Sequence, residues 1–252
     1  MSWRALENYI VDPARIAVIG AGHAGRGLAS YLAIHRFDVS LYNRSIANIK
    51  RISKRGGIKV HGIFEAFAKL SLVTDNIAKA IEDRDIIIII VPAQAHTFIA
   101  KSMVPHLKSG QTILLMPGRT GGALEFARFL RSHSYSDEIL LGEAQTYSFV
   151  SRITGPDSVL ISKVKNSTKV SAFPASHNRR FMRSLRRLPI TFNMADDVME
   201  TSLDNVGAML HPTPTILSAG LLESKEGGYN HYHDAISDSV GRLIERMDAE
   251  RI

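Results

Sequence analysis

Arg15-Ile-Ala-Val-Ile-Gly-Ala-Gly-His-Ala-Gly25 passes from an apolar run directly into three closely spaced glycines. Such a run, bounded by glycine, reads as a short buried strand. The residues after Gly25 have a helical pattern to about His35, and Asp38-Val-Ser-Leu-Tyr42 reads as a second strand. A Gly-x-Gly-x-x-Gly pattern is a weak signal alone. Set between a strand and a helix, inside a complete strand–helix–strand unit, it describes a turn that cradles a dinucleotide diphosphate.

Each glycine then has a task. Gly20 permits the tight turn, Gly22 lets backbone approach the diphosphate, and Gly25 lets helix and strand pack closely. Gly20, Gly22, His23, Ala24 and Gly25 are the candidate diphosphate contacts, at the positive end of the helix. Cofactor choice turns on the residues after the second strand, where an acidic side chain would hold a ribose 2′-hydroxyl and repel a 2′-phosphate. This chain has Asn43-Arg-Ser45 instead. Arg44 offers a planar cationic fork suited to phosphate, with Asn43 and Ser45 as further donors, so NADP is favoured over NAD. Stacking of Arg44 on the adenine, which serves either cofactor, is the alternative.

Downstream, Ile58 to Ile63 and Ala68 to Val73 read as two more strands, and Asp75 to Asp83 as a helix capped by Asp75. Asp85-Ile-Ile-Ile-Ile-Ile-Val91 is apolar on both faces, as a strand inside a helix-covered parallel sheet must be. A helix over about Ala95 to Leu107, a strand over Thr112 to Met116, and a helix opened by Gly121-Gly122 complete the alternation. The fold expected is α/β: an N-terminal Rossmann-type doubly wound sheet over residues 1–194, then a partial all-α domain over 195–252. Pro92 and Ala93 follow one strand and Arg119 another, so both loops lie at the carboxyl edge where such sheets bind ligands. Pro92 and Ala93 are read as cofactor contacts. Arg119 suits a substrate carboxylate, and the Gly121-Gly122 helix start is expected to offer N–H groups to the same cleft. A solvated loop arginine is the alternative for Arg119.

The 252 residues contain no cysteine, which excludes disulfides, thiolate metal sites and a cysteine nucleophile. No histidine has metal-ligand partners at convincing spacing, so no metal is expected. Residues 1–15 lack a continuous apolar stretch, and the longest apolar run, Ile86 to Val91, is far short of the about 18 residues of a membrane span. A cytoplasmic protein with no membrane partner is the expectation. The formal charge of +7 suits an anionic ligand but also nucleic acid. The densest basic stretch, Asn178 to Arg187, keeps Phe181, Leu185 and Leu188 at helical spacing, which leaves its arginines on a solvated face. No nucleic-acid partner is expected.

The chain resembles the opine dehydrogenases, the octopine/nopaline dehydrogenase family. The resemblance rests on the glycine turn, Pro92-Ala-Gln-Ala-His96, Gly121-Gly-Ala-Leu-Glu-Phe126, and Glu143 with Tyr147 and Arg152. The most specific pieces are Asn205-Val-Gly-Ala-Met-Leu-His-Pro212, Tyr232-His-Asp-Ala-Ile-Ser237 and Asp248-Ala-Glu-Arg251. It implies NAD(P)H-dependent reductive condensation of an α-keto acid with the amino group of an amino acid. It implies too that His211 is the acid/base group. Asn205 is read as orienting the ring or the substrate, or as satisfying the kinked backbone, and Arg119, Gln145 and Arg152 are read as substrate contacts.

His211 also stands out unaided. Pro212 and Pro214 break a helical stretch at that point, which can turn the imidazole into a cleft; a helix-ending histidine without chemistry is the alternative. Where the family has Glu-Thr this chain has Glu143-Ala144, leaving Gln145 and Thr146 to substitute. Family members continue beyond Arg251 and carry the histidine's partner aspartate there. The helical domain is therefore expected to be completed by a homodimer or another chain. The competing functions are a dehydrogenase of a hydroxy acid or glycerol 3-phosphate, and a dinucleotide-binding subunit without activity.

Overall fold

A computed structural model describes residues 13–132, 138–224 and 228–251 of the chain. The reading of residues 1–12 as lacking a targeting stretch lies outside them. The chain divides into two compact units, one ending at Ser202 and the other starting at Leu203.

The first unit is α/β. From β1 (Arg15–Ile19) the chain passes through the glycine turn into α1 (His23–Ile34), β2 (Asp38–Tyr42) and α2 (Ile46–Arg55). Then come β3 (Gly57–Gly62), β4 (Ala66–Lys69), β5 (Leu72–Thr74), α3 (Ile77–Ile81), β6 (Ile86–Ile89) and α4 (His96–Met103). β7 (Thr112–Leu115), α5 (Gly122–Ser132), β8 (Leu140–Ala144), β9 (Phe149–Gly155), β10 (Ser158–Val164) and β11 (Thr168–Ala172) follow, and α6 (Asn178–Leu185), β12 (Phe192–Met194) and α7 (Val198–Leu203) end the series.

The main sheet has the order β12-β11-β8-β7-β6-β1-β2-β5. From β5 to β8 every pairing is parallel, and β11 turns antiparallel against β8. The order reverses between β1 and β6, the switch point at which a doubly wound sheet opens a crevice. All four residues of β6 are buried, as the isoleucine run demands.

Two expectations change here. The segment from Ala68 to Val73 is not one strand: Ser71 donates its N–H to the Val39 carbonyl, so the chain changes sheets between β4 and β5. β3 and β4 belong to a second sheet of order β4-β3-β10-β9. The cap of α3 is Asn76, whose Oδ1 accepts the Lys79 N–H, and Asp75 is not the cap.

The basic helix α6 buries Phe181 and Leu185 and leaves Arg179, Arg183 and Arg186 exposed. Buried Asn178 at its start accepts the Ala172 N–H and donates to the Ala195 and Asp196 carbonyls. These bonds hold the chain beyond Ala195 within the first unit, which therefore runs on to Ser202. The second unit contains α8 (Gly207–Leu210), α9 (Pro212–Leu217), α10 (Ala219–Ser224), α11 (His231–Asp234) and α12 (Asp238–Arg251). No helix among the described residues is long and apolar enough to cross a membrane.

Candidate dinucleotide and substrate sites

The glycine turn is shaped by its neighbours. Gly20 has φ +119°, and a β-carbon on it would approach the Ile90 carbonyl oxygen to 2.5 Å. A methyl on Gly25 would collide with the Gly20 carbonyl oxygen. A β-carbon on Gly22, by contrast, would meet nothing within 4 Å. The helix N-terminus thus faces open space where a diphosphate needs room, so the residues present fit a dinucleotide.

Arg26, which sequence reasoning missed, braces this turn. The residue is 5% exposed, and its guanidinium donates to the carbonyls of Ala21, Asn48, Gly155 and Pro156. Burial lowers its pKa and Asp157 raises it again. The only sequence signal was a cation on the inner face of a packed helix. His23 ties the turn to β9: its Nδ1 accepts the Ile153 N–H at 2.8 Å, and its carbonyl accepts the Ser151 hydroxyl. An accepting Nδ1 leaves the ring proton on Nε2. Ala24 is half-buried against the core. Arg152 lies on β9 between Ser151 and Ile153, so the second sheet carries it beside the glycine turn.

Asn43 also bonds to nearby backbone. Its Oδ1 accepts the Ala21 N–H at 3.2 Å and its Nδ2 donates to the Ser45 carbonyl at 3.0 Å. The amide oxygen holds the turn, and one of the two amide N–H groups is spent on Ser45. Arg44 is exposed, with its guanidinium 5.3 Å from the Phe98 ring centre. Pro92 and Ala93 are exposed at the end of β6, where a short 3-10 turn over Ala93–Ala95 begins.

The edge of β7 and β8 is built around a buried carboxylate. Glu143 is fully buried and accepts the Ala123 N–H at 2.9 Å and the hydroxyls of Thr201 and Ser202 at 2.8 and 2.9 Å. Burial pushes its pKa up, while the three donors pull it down. Ser202 Oγ also accepts the Gly121 N–H at 3.1 Å. The start of α5 was expected to offer its N–H groups to a ligand; those of Gly121 and Ala123 are instead spent on Ser202 and Glu143. A negative charge against a helix N-terminus is a favourable internal arrangement. Only the position of Glu143 was legible beforehand, since Thr201 and Ser202 come from far along the chain.

Arg119 adopts φ +61° and its guanidinium lies 5.8 Å from the Tyr147 ring centre. Gln145 is half-buried, and its backbone N–H donates to Lys169. Thr146 accepts from Lys165 Nζ at 3.2 Å. Burial, and then Lys163, lowers the Lys165 pKa. Arg119 and Tyr147 are thus brought together at this edge, whereas Arg152 is on the other sheet. His96 is 2% exposed, its ring packs against Gly122, and its Nε2 has no hydrogen-bond partner. Burial lowers its pKa, Glu125 raises it and Arg119 lowers it, which favours the neutral ring.

In the second unit the helix breaks between Leu210 and Pro212. Two threonines bond back across the break: Thr213 Oγ1 donates to the Met209 carbonyl and Thr215 Oγ1 to the His211 carbonyl, each at 2.7 Å. Such bonds bend helices. His211 is exposed at the bend, and its Nδ1 pairs with the Tyr232 hydroxyl at 2.5 Å. A β-carbon on Gly207 would sit 3.2 Å from His211 Nε2 and 3.3 Å from Asn205 Oδ1, so this glycine admits both side chains to one place. Asp204 faces Arg251 at 4.0 Å. Among the described residues, no group of three metal-ligating side chains occurs.

An open glycine turn at the switch point of a doubly wound sheet defines a dinucleotide-binding protein. Residues 15–156 match the family model described as NAD-dependent glycerol-3-phosphate dehydrogenase N-terminus, and residues 194–252 match NAD/NADP octopine/nopaline dehydrogenase, alpha-helical domain. The opine dehydrogenase of Arthrobacter sp. (strain 1C) is 34% identical over 244 residues, covering 96% of this chain and 67% of that protein. Octopine dehydrogenase in complex with NADH and agmatine has a similar fold, with a TM-score of 0.73 at 17% identity over 91% of this chain. Yersinopine dehydrogenase with NADP+ bound gives 0.71 at 16% identity over 90%. The chain spans 60% of the length of each of these two structures. It belongs to the opine dehydrogenase family of nicotinamide-dependent oxidoreductases.

Proposed function

We propose that this protein catalyses the NAD(P)H-dependent condensation of an α-keto acid, such as pyruvate, with the amino group of an amino acid. The amine adds to the keto carbon, water leaves, and the resulting imine is reduced to a secondary amine dicarboxylate. A bound nicotinamide supplies the hydride. The chain's residues do the rest. The start of α1, opposite Gly22, holds the diphosphate, with Pro92 and Ala93 along the same crevice edge. Arg44 pairs with the 2′-phosphate of NADP, the favoured cofactor. Arg119, Gln145 and Arg152 are the candidate partners for substrate carboxylates. His211, with Asn205 beside it, moves the proton as carbonyl, carbinolamine and imine interconvert, a task suited to an imidazole, which can both give and take a proton.

The observation that carries this reading is the occurrence in one chain of the open glycine turn and the Asn205–His211 pair at a proline-broken helix. The test follows NADPH oxidation with pyruvate and a panel of amino acids, with the product identified by mass spectrometry. Oxidation that requires both substrates and yields their reduced adduct is expected. Oxidation with a keto acid alone, or turnover of glycerol 3-phosphate, would favour the reading that the match over residues 15–156 supports.

A further inference from the structure

Lys165, one residue past β10, is half-buried, and its ammonium meets a single neutral oxygen, Thr146 Oγ1 at 3.2 Å. Among the described residues no carboxylate pairs with it. The charge that acts on it is a second cation, Lys163. We propose that Lys165 and Thr146 form a carboxylate subsite that binds one of the two substrates and helps to select it. This rests on the proposed condensation, in which the keto acid and the amino acid each bring a carboxylate. The pair is fixed through its backbone. The Lys165 N–H donates to the Ser148 carbonyl at 2.9 Å, and the buried Ser148 hydroxyl pairs with that of Thr168 at 2.9 Å. Residues 145–148 leave β8 at the carboxyl edge of the main sheet, where sheets of this kind bind ligands. Arg119 reaches the same segment at Tyr147, the residue after Thr146. One short segment is thus served by two cations, and the product has two carboxylates.

The chemistry of the pair explains why it takes an anion. A partly buried ammonium is costly to leave without a counter-charge. It has three N–H donors, of which Thr146 takes one. A hydroxyl that accepts from Nζ keeps its own proton to donate, so Lys165 and Thr146 can each bond one oxygen of the same carboxylate. Burial and Lys163 both lower the Lys165 pKa, and an arriving anion would raise it again. Lysine is a point charge on a flexible stem, so the subsite reads charge more than shape.

The first test needs no turnover. The whole chain, with NADPH present, is acylated briefly with acetic anhydride, and the modified lysines are identified by mass spectrometry. Pyruvate alone, or one amino acid of the panel alone, should protect Lys165 and leave exposed Lys163 as reactive as before. The second test is kinetic. Lys165→Met should raise KM about tenfold to a hundredfold for the substrate that protects, the scale of a hydrogen bond to a charged group. Its kcat and its NADPH affinity should stay within about twofold, because binding lost equally from ground and transition states leaves kcat alone. Lys165→Arg, which keeps the charge, should recover most of the loss, and Lys163→Met should change nothing. The substrate concerned names the owner of the carboxylate. Protection of Lys165 by pyruvate without turnover of any pair upholds the subsite and overturns the condensation. A Lys165 that no substrate protects overturns the subsite even where the condensation proceeds. An unchanged KM in Lys165→Met, or a loss that Lys165→Arg shares in full, also overturns it.

Discussion

The turn from Gly20 to Gly25 and the bend at His211 both interrupt regular backbone to present a functional group, but by opposite means. The turn is wedged against the Ile90 backbone and side chain and the Val91 side chain. Steric exclusion sets its shape, and Arg26 and Asn43 stitch it to distant carbonyls and amides. The bend sits on helices whose buried residues are few, chiefly Met209, Thr213 and Pro214, while Ile216 is 70% exposed. Hydrogen bonds from threonine and tyrosine hydroxyls hold it. Close packing tolerates little change of volume, whereas a net hydrogen bond contributes only about 1 kcal/mol. The first region should fail by unfolding, the second by misaligned chemistry.

The contrast is most exposed to test at Gly25→Ala. The added methyl has no room beside the Gly20 carbonyl, so stability should fall by about 3 kcal/mol and NADPH affinity with it. Urea unfolding together with titration calorimetry measures both. An unchanged midpoint and affinity would show that the turn relaxes freely, and the contrast would collapse.

Arg44→Ala should come next in size and leave the fold intact. Loss of a charge-assisted contact should cost about 1.5–3 kcal/mol of NADPH affinity and almost none of NADH affinity. Equal affinities of the unaltered protein for the two cofactors would remove the reason for assigning Arg44 to phosphate. Release of the guanidinium from Phe98 would then be its only measurable role.

At the bend, Thr215→Val keeps the shape and removes one exposed hydroxyl. Stability should fall by about 1 kcal/mol or less, with a disproportionate loss of turnover because the same hydroxyl supports the His211 carbonyl and meets His231. A variant that unfolds more readily without losing turnover would place this region in the same class as the glycine turn.

The smallest effect is the pH dependence contributed by His96. Burial holds its folded pKa below the ordinary value of about 6.5, so the unfolded chain takes up the proton first. Its contribution to stability is present above that pH and is lost as the pH falls through the folded pKa. Glu143, raised by burial, acts in the opposite sense in acid. Comparing the wild type with His96→Leu between pH 7.5 and 5.5 by calorimetry isolates the histidine. The variant's thermal midpoint should fall less steeply, and parallel curves would mean that His96 takes up its proton equally in the folded and unfolded chain.

The residues themselves announced much of this. Glycine spacing after a strand, the isoleucine run of β6 and the prolines beside His211 act through local sterics and burial, so they are legible in any window of sequence. The parallel sheet from β5 to β8 followed from the same alternation. Other features depended on segments meeting from far apart. Thr201 and Ser202 reach Glu143 across 58 and 59 residues, and Arg26 reaches Gly155 and Pro156 across 129 and 130. β3 and β4 look like strands of the main sheet until the register of β10 draws them into another. Asn43 offers the same amide to a ligand or to the backbone of Ala21 and Ser45, and Tyr232 the same hydroxyl to water or to His211. Local sequence determines which groups a segment offers. Which partner each group takes is decided only when packing removes the competing water, and that is a property of the folded chain.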